Sequence, residues 1–298
     1  MFTKKSLYPV LILLFIILTS LRSDKPAYQI FSQKGKSANY SDLLKAALSS
    51  DLVIFGEIHN NPICHWLEYE LMLDLYQEKR SDLVLGAEMF ETDNQLLINE
   101  YTSKKIRKKD FESEAKLWSN YRTDYAALVD FAREKGLNFI ATNVPRRFAA
   151  MVNQYGFEGL DSLLAVERGM MAPLPIHFDS TLAGYQSIRK NIGNEMPAHL
   201  SPNLAKAQAL KDATMAYLIL KNIVENKTTF LHFNGSYHSE NYEGIVWYVN
   251  DYIKRTNIPL KTLTIACVEQ DSPEMLLKEN HGIADFIICI PKSMTRSN

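Results

Sequence analysis

The run Leu52-Val53-Ile54-Phe55 restricts the fold more than any other stretch of the chain. Side chains of a strand alternate between its faces, so four apolar residues in succession need cover on both sides. A parallel sheet flanked by helices provides that cover. The run stops at Gly56, where a tight turn or a close approach is possible. Glu57 and His59 follow at once, and Asn61-Pro62 read as the cap and first residue of a helix. An acid and an imidazole thus leave the carboxyl end of a buried strand, the edge at which open α/β sheets bind ligands. The plainer reading makes Glu57 a cap for the next helix and His59 a satisfied loop histidine.

The rest of the chain repeats this design. Residues 82–91 form an apolar strand broken by Gly86, with Glu88 and Glu91 at its exit. Thr92 and Gln95 then read as a capping box. Leu137 to Asn143 is a third strand, followed by Pro145-Arg146-Arg147. Thr228 to Asn234 is a fourth, followed by Gly235-Ser-Tyr-His238. Lys261 to Val268 and Ala284 to Ile290 complete the set. Between them lie amphipathic segments: 41–48 with Ser41 as cap, 62–79, 123–134 ending at Gly136, 203–226, and about 241–252. Residues 149–202 change character, with several glycines and prolines, and read as a helical insertion capping the site. The expectation is an α/β fold: a mainly parallel sheet with helices on both faces.

At 298 residues the chain has room for such a domain, and 46% hydrophobic residues supply its core. A net charge of -1 with interspersed signs leaves no basic face for nucleic acid. The basic run Lys104 to Lys109 is followed by Asp110, Glu112 and Glu114, so it reads as a solvated helix face. Cys64, Cys267 and Cys289 are too scattered for a disulfide framework or a thiolate zinc site. Lys4 and Lys5 precede the apolar run Leu7 to Leu18, which is short for a membrane span. Residues 1–23 therefore read as an export signal, with an uncleaved tether as the alternative. A single domain, 24–298, would follow, its polar lead-in to Lys36 exposed. No cysteine near the end of the run offers a lipid anchor.

Four strand exits carry polar clusters: Glu57 and His59; Glu88 and Glu91; Asn143, Arg146 and Arg147; His232 and His238. A parallel sheet aligns these exits along one edge. Gly56-Glu-Ile-His59 and Gly235-Ser-Tyr-His238 also share a spacing. With Glu88, the two imidazoles suit a divalent metal such as zinc or manganese with one open position. They equally suit a metal-free site with a histidine base, in which Glu57, His59, Glu88 and His238 are the catalytic candidates. The third reading is a polar network that only holds the loops together. The absence of a Gly-x-Ser-x-Gly elbow argues against a serine esterase.

The sequence GEIHNN, then LGAEMFE, TNVPRR, a long helix with Gln208 and Asp212, and HFNGSYH resembles the ChaN family over roughly residues 50–290. The wider superfamily includes Tiki metalloproteases, TraB-type proteins and erythromycin esterases. On that resemblance, His59, Glu88 and His238 fall on its metal-binding or catalytic positions. Glu57, Arg146 and His232 sit beside them. The resemblance implies a haem-binding uptake protein, exported to the periplasm or envelope, with a tyrosine compatible as haem ligand. It departs from the family in lacking the lipoprotein cysteine. Arg146, Arg147, His232 and Tyr237 are the expected cofactor-binding residues, with Arg168 and Arg189 as further partners for propionates and residues 149–202 as lid. The partners this allows are haem or another small ligand, an envelope transport protein and a second copy of the chain. The rival is a metal-dependent or histidine-based hydrolase of peptide, ester or amide bonds.

Overall fold

The computed structural model describes residues 25–194, 203–226 and 228–297. The expected export signal lies outside them. One sheet contains β1 (Gln29–Ser32), β2 (Ser37–Ala38), β3 (Leu52–Glu57), β4 (Leu83–Glu91), β5 (Phe139–Asn143), β6 (Thr229–Gly235), β7 (Thr262–Gln270) and β8 (Phe286–Pro291). Their order across it is β2-β1-β8-β7-β3-β6-β4-β5. All neighbours from β8 to β5 run parallel, and β1 joins β8 antiparallel. The α/β expectation, a mainly parallel sheet between helices, is met.

The helices are α1 (Tyr40–Leu48), α2 (Pro62–Lys79), α3 (Gln95–Thr102), α4 (Lys108–Glu114), α5 (Ala126–Lys135), α6 (Arg146–Tyr155), α7 (Ala165–Arg168), α8 (Ala183–Asn194), α9 (Leu204–Asn226) and α10 (Ile245–Thr256). Alternation along β3 explains its unbroken apolar run. Val53 and Phe55 enter the core cluster shared with α1, α2, α3 and α5, whereas Leu52 and Ile54 enter that shared with α6, α9 and α10. The Asn61 side chain accepts the Ile63 N–H at 3.0 Å and so starts α2. Gly136, at φ 68, ends α5 in the left-handed conformation.

The strand order positions the site. The chain passes from β3 to β4 without pairing them, and β6 later enters between the two. The two loops with glycine-x-x-histidine spacing therefore leave adjacent strands, with Glu57 level with Gly235. On the other side of β6, Gly86 of β4 stands level with His232.

Several local expectations fail for identifiable reasons. The lead-in contains the β1–β2 hairpin, which is too short and too polar for a sequence pattern to register. Asn39, not Ser41, caps α1, and it forms a capping box with Asp42. Gln95 does not close a capping box. Its side chain donates to the Phe139 carbonyl and accepts the Ala141 N–H, while Thr92 donates to the Met170 carbonyl. The final helix begins at Ile245 because Asn241 and Tyr242 both adopt φ 59. The segment expected as an insertion opens inside α6, and its Leu160, Met171, Ala172 and Ile176 join the core cluster beside α9 and α10. It is thus part of one helical layer, and among its described residues α8 reaches the site, through Tyr185 and Gly184.

Candidate functional site at the carboxyl edge

His238 is held by two carboxylates. Its Nδ1 donates to Asp212 Oδ1 at 2.5 Å, and its Nε2 lies 3.0 Å from Glu88 Oε1. Glu88 Oε2 also accepts the Gly235 N–H at 2.9 Å. Asp212 Oδ2 accepts the Tyr185 hydroxyl at 2.7 Å. The Gln208 side chain lies within 3.0 Å of both ring nitrogens. Burial opposes the imidazolium, but Glu88 and Asp212 overcome it and push its pKa up to about 10. Burial likewise opposes the charge of Glu88, and the His238 cation brings its pKa down to about 2. The result is a buried carboxylate–imidazolium–carboxylate chain.

His59 is arranged differently. Its Nδ1 donates to Glu57 Oε1 at 2.5 Å, and its side chain remains 42% exposed. Tyr125 donates to the same Glu57 oxygen at 2.8 Å. Partial burial opposes the His59 cation, but the hydrogen bond to Glu57 and the charge of Glu88 raise its pKa overall. The Trp118 ring packs edge-on against it, with centroids 4.9 Å apart. Its Nε2 faces the Glu88 side. A Cβ added to Gly235 would come within 2.7 Å of His59 Nε2 and 3.6 Å of Glu88 Oε2, so that approach requires a glycine. The exits of β3, β4 and β6 do meet.

The three candidate metal ligands, His59, Glu88 and His238, are gathered, but both ring nitrogens of His238 already face carboxylates and leave no lone pair for an ion. Among the described residues, the donor atoms that lie within 4.8 Å of one another belong instead to Glu57, His65 and Glu68. His232 is completely buried between Thr142 (2.8 Å) and Asn234 (3.0 Å). Burial drives its pKa down to about 4, so it is a neutral sheet residue out of reach of any cofactor. Tyr237 points to α8, donating to the Gly184 carbonyl.

The expected arginines separate. Arg146 and Arg147 line a groove of about 840 Å³ whose other wall includes Lys116, Leu117 and Trp118, beside His59. Arg147 is paired with Asp93. Arg168 is tied to the carbonyls of Asp161 and Leu163. The Arg189 side chain lies outside the described residues. A second cleft, about 440 Å³, opens between α9, α10 and residues 172–177. It is mainly apolar, with Tyr217, Tyr252 and His177 in its wall and Lys221 and Arg255 among its lining residues.

Residues 43–249 match the family described as haem-binding uptake, Tiki superfamily, ChaN. The chain belongs to that family. Among solved structures, the ChaN protein of Campylobacter jejuni, described as showing cofacial heme binding, superposes with a TM-score of 0.66. The alignment has 15% identity and covers 91% of this chain and 97% of that one. A mutant of the erythromycin esterase EreC, in its open conformation, superposes with a TM-score of 0.51. That alignment has 10% identity and covers 92% of this chain and 99% of the esterase. At such identities the likeness is one of fold. No curated protein matches the sequence.

Sequence patterns alone gave no role to Asp212, and they passed over Tyr125, Tyr185, Trp118, His65 and Glu68. Only His65 and Glu68 carried a signal: an imidazole and an acid three residues apart on α2, among the apolar residues that face the sheet.

Proposed function

We propose that this ChaN-family chain takes up haem in the cleft between α9 and α10 and serves haem or iron acquisition outside the cytoplasm. The composition of that cleft carries the reading. Haem needs an apolar wall, an iron ligand and cations for two propionates. Tyr217 and Tyr252 bring phenols whose hydroxyls have no hydrogen-bond partner among the described residues. Lys221 and Arg255 are the nearby cations, in place of the arginines expected from the sequence. Segment 172–177 closes one side, so the expected lid contributes through its middle part. The Campylobacter protein is described as binding haem cofacially. A one-sided cleft suits a haem whose second face rests on another haem, and a homodimer is the simplest source of one.

Titration with haem tests the proposal. Stoichiometric haem should give a shifted Soret band, and replacing both tyrosines by phenylalanine should weaken binding tenfold or more. An unshifted band in the folded wild-type chain would sink the reading. Export is supported by Lys4, Lys5 and the short apolar run after them. Among the described residues no helix is long and apolar enough to cross a membrane. Sequencing the amino terminus of protein from an envelope fraction tests export, and recovery of the full chain only from the cytosol would refute it.

A second reading rests on the Glu57–His59 pair. Glu57 holds Nδ1, so Nε2 is left free of that contact and turns toward Gly235 and Glu88, in a side chain that stays partly open to solvent. A histidine oriented in this way can act as a general base for water. A histidine-based hydrolysis of an ester or amide fits this geometry better than a metal-dependent one through His238. Turnover of a panel of chromogenic esters and amides, lost in His59→Ala, is the test. Equal turnover in that variant would remove the reading.

A further inference from the structure

Beneath the Glu57 carboxylate lie His65 and Glu68, which neither haem binding nor hydrolysis uses. Glu57 is 2% exposed, His65 8% and Glu68 0%. His65 Nε2 lies 2.8 Å from Glu57 Oε2, yet neither atom has an aligned hydrogen bond. Both oxygens of Glu68 also lack a hydrogen-bond partner among the described residues. Two carboxylates are therefore packed together, and among the described residues neither is paired with a lysine or arginine. A buried acid without a partner is costly unless it is protonated or bound to a metal.

We propose that Glu57, His65 and Glu68 form a buried site for a divalent transition ion of the zinc or manganese class. Their donor atoms lie within 4.8 Å of one another, a span that one ion can bridge. A +2 ion offsets two carboxylates, and an imidazole ligand favours zinc or manganese over calcium or magnesium. Ligands on one tetrahedral ion sit about 3.4 Å apart, so the His65 ring would move back from Glu57 by a few tenths of an ångström. The surroundings suit the role. Asp124 Oδ1 is 3.5 Å from His65 Nδ1, the placement of a carboxylate that orients a ligating histidine. Asp124 is itself fixed through Oδ2 by Asn120 and Ser297. Tyr125 and His59 occupy the other oxygen of Glu57, leaving Oε2 to face the ion. The ion would thus sit directly behind the residue that orients His59. The site stands apart from the haem cleft, so loss of one leaves the other measurable.

The test begins with full-length chain stripped by a chelator and free of haem, as judged by its spectrum. Zn²⁺ or Mn²⁺ is then added separately, with metal content and melting temperature as readouts. The expected result is about one ion per chain and a rise in Tm of about 5 °C at a hundredfold excess over Kd. Glu68→Gln and His65→Gln should each lower the affinity at least tenfold while haem binding is kept. Anomalous diffraction at the metal edge should place the ion between Glu57 and Glu68, which keeps the proposal testable even if the variants fail to fold. Uptake below a tenth of an equivalent by the folded wild type overturns it. So does equal uptake by the variants, or an ion found elsewhere.

Discussion

The loops ending in His59 and His238 share a spacing and leave adjacent strands, yet their histidines reach opposite states. His238 is buried and gives both nitrogens to carboxylates, whereas His59 gives one nitrogen to Glu57 and turns the other toward Gly235 and Glu88. Glu88 makes the difference: Asp212 holds His238 Nδ1 much as Glu57 holds His59 Nδ1, but only His238 has a second carboxylate, Glu88, within 3.0 Å of its Nε2. Spacing decided where the rings could go. Their protonation was decided by what packed against them.

The largest expected effect comes from removing the centre of the buried chain. In His238→Ala, Glu88 and Asp212 would face each other inside the protein without a cation. Breaking such an arrangement costs about 3–5 kcal/mol, readable in a urea or thermal melt. A loss under about 1 kcal/mol would show that His238 is not the cation described. Asp212→Asn makes His238 resemble His59 by leaving it one carboxylate. The loss should be about 1–3 kcal/mol, and the His238 pKa should fall, as followed by its ring carbon and proton resonances.

The pH dependence sharpens the same contrast. A histidine whose pKa is raised on folding stabilises the protein fully below its unfolded value of about 6.5 and loses that contribution as pH rises through the folded value. For His238 the loss should therefore run from about pH 6.5 toward 10. Glu88, lowered to about 2, stabilises above its unfolded value of about 4.3, and that contribution is lost as pH falls toward 2. His232 works in the opposite sense. Its depressed pKa means that stability falls as pH drops from about 6.5 toward 4. In an NMR titration His238 should remain protonated at pH 8 while His232 remains neutral at pH 5.5. A neutral His238 at pH 8 would dissolve the contrast between the two loops.

The smallest stability effect is expected at the open histidine. His59→Ala should cost about 1 kcal/mol or less, because the ring is half exposed and makes one charged hydrogen bond. Trp118→Ala should cost still less through that ring contact, but it should shift the His59 resonances. If His59→Ala destabilises as much as His238→Ala, the two loops are energetically alike and His59 is part of the scaffold.

The sequence by itself determined the parallel core. The unbroken apolar run at Leu52 and the apolar-rich stretches at Leu83, Phe139, Phe230 and Leu263 call for cover on both faces, and each became a strand. It also determined that acids and histidines would collect at one edge, because the runs at Leu52, Leu83 and Phe230 end in them. Tertiary structure decided the rest. Insertion of β6 between β3 and β4 made neighbours of His59, Glu88 and His238, and no local pattern encodes a strand order. The cations of the proposed haem cleft are Lys221 and Arg255 rather than Arg146 and Arg147, because helix packing, not chain position, sets which side chains line a cleft. The same holds for Asp212, Tyr125, His65 and Glu68. A helix periodicity shows which residues turn inward, but their partners come from distant parts of the chain, and burial beside those partners sets the charge each one carries.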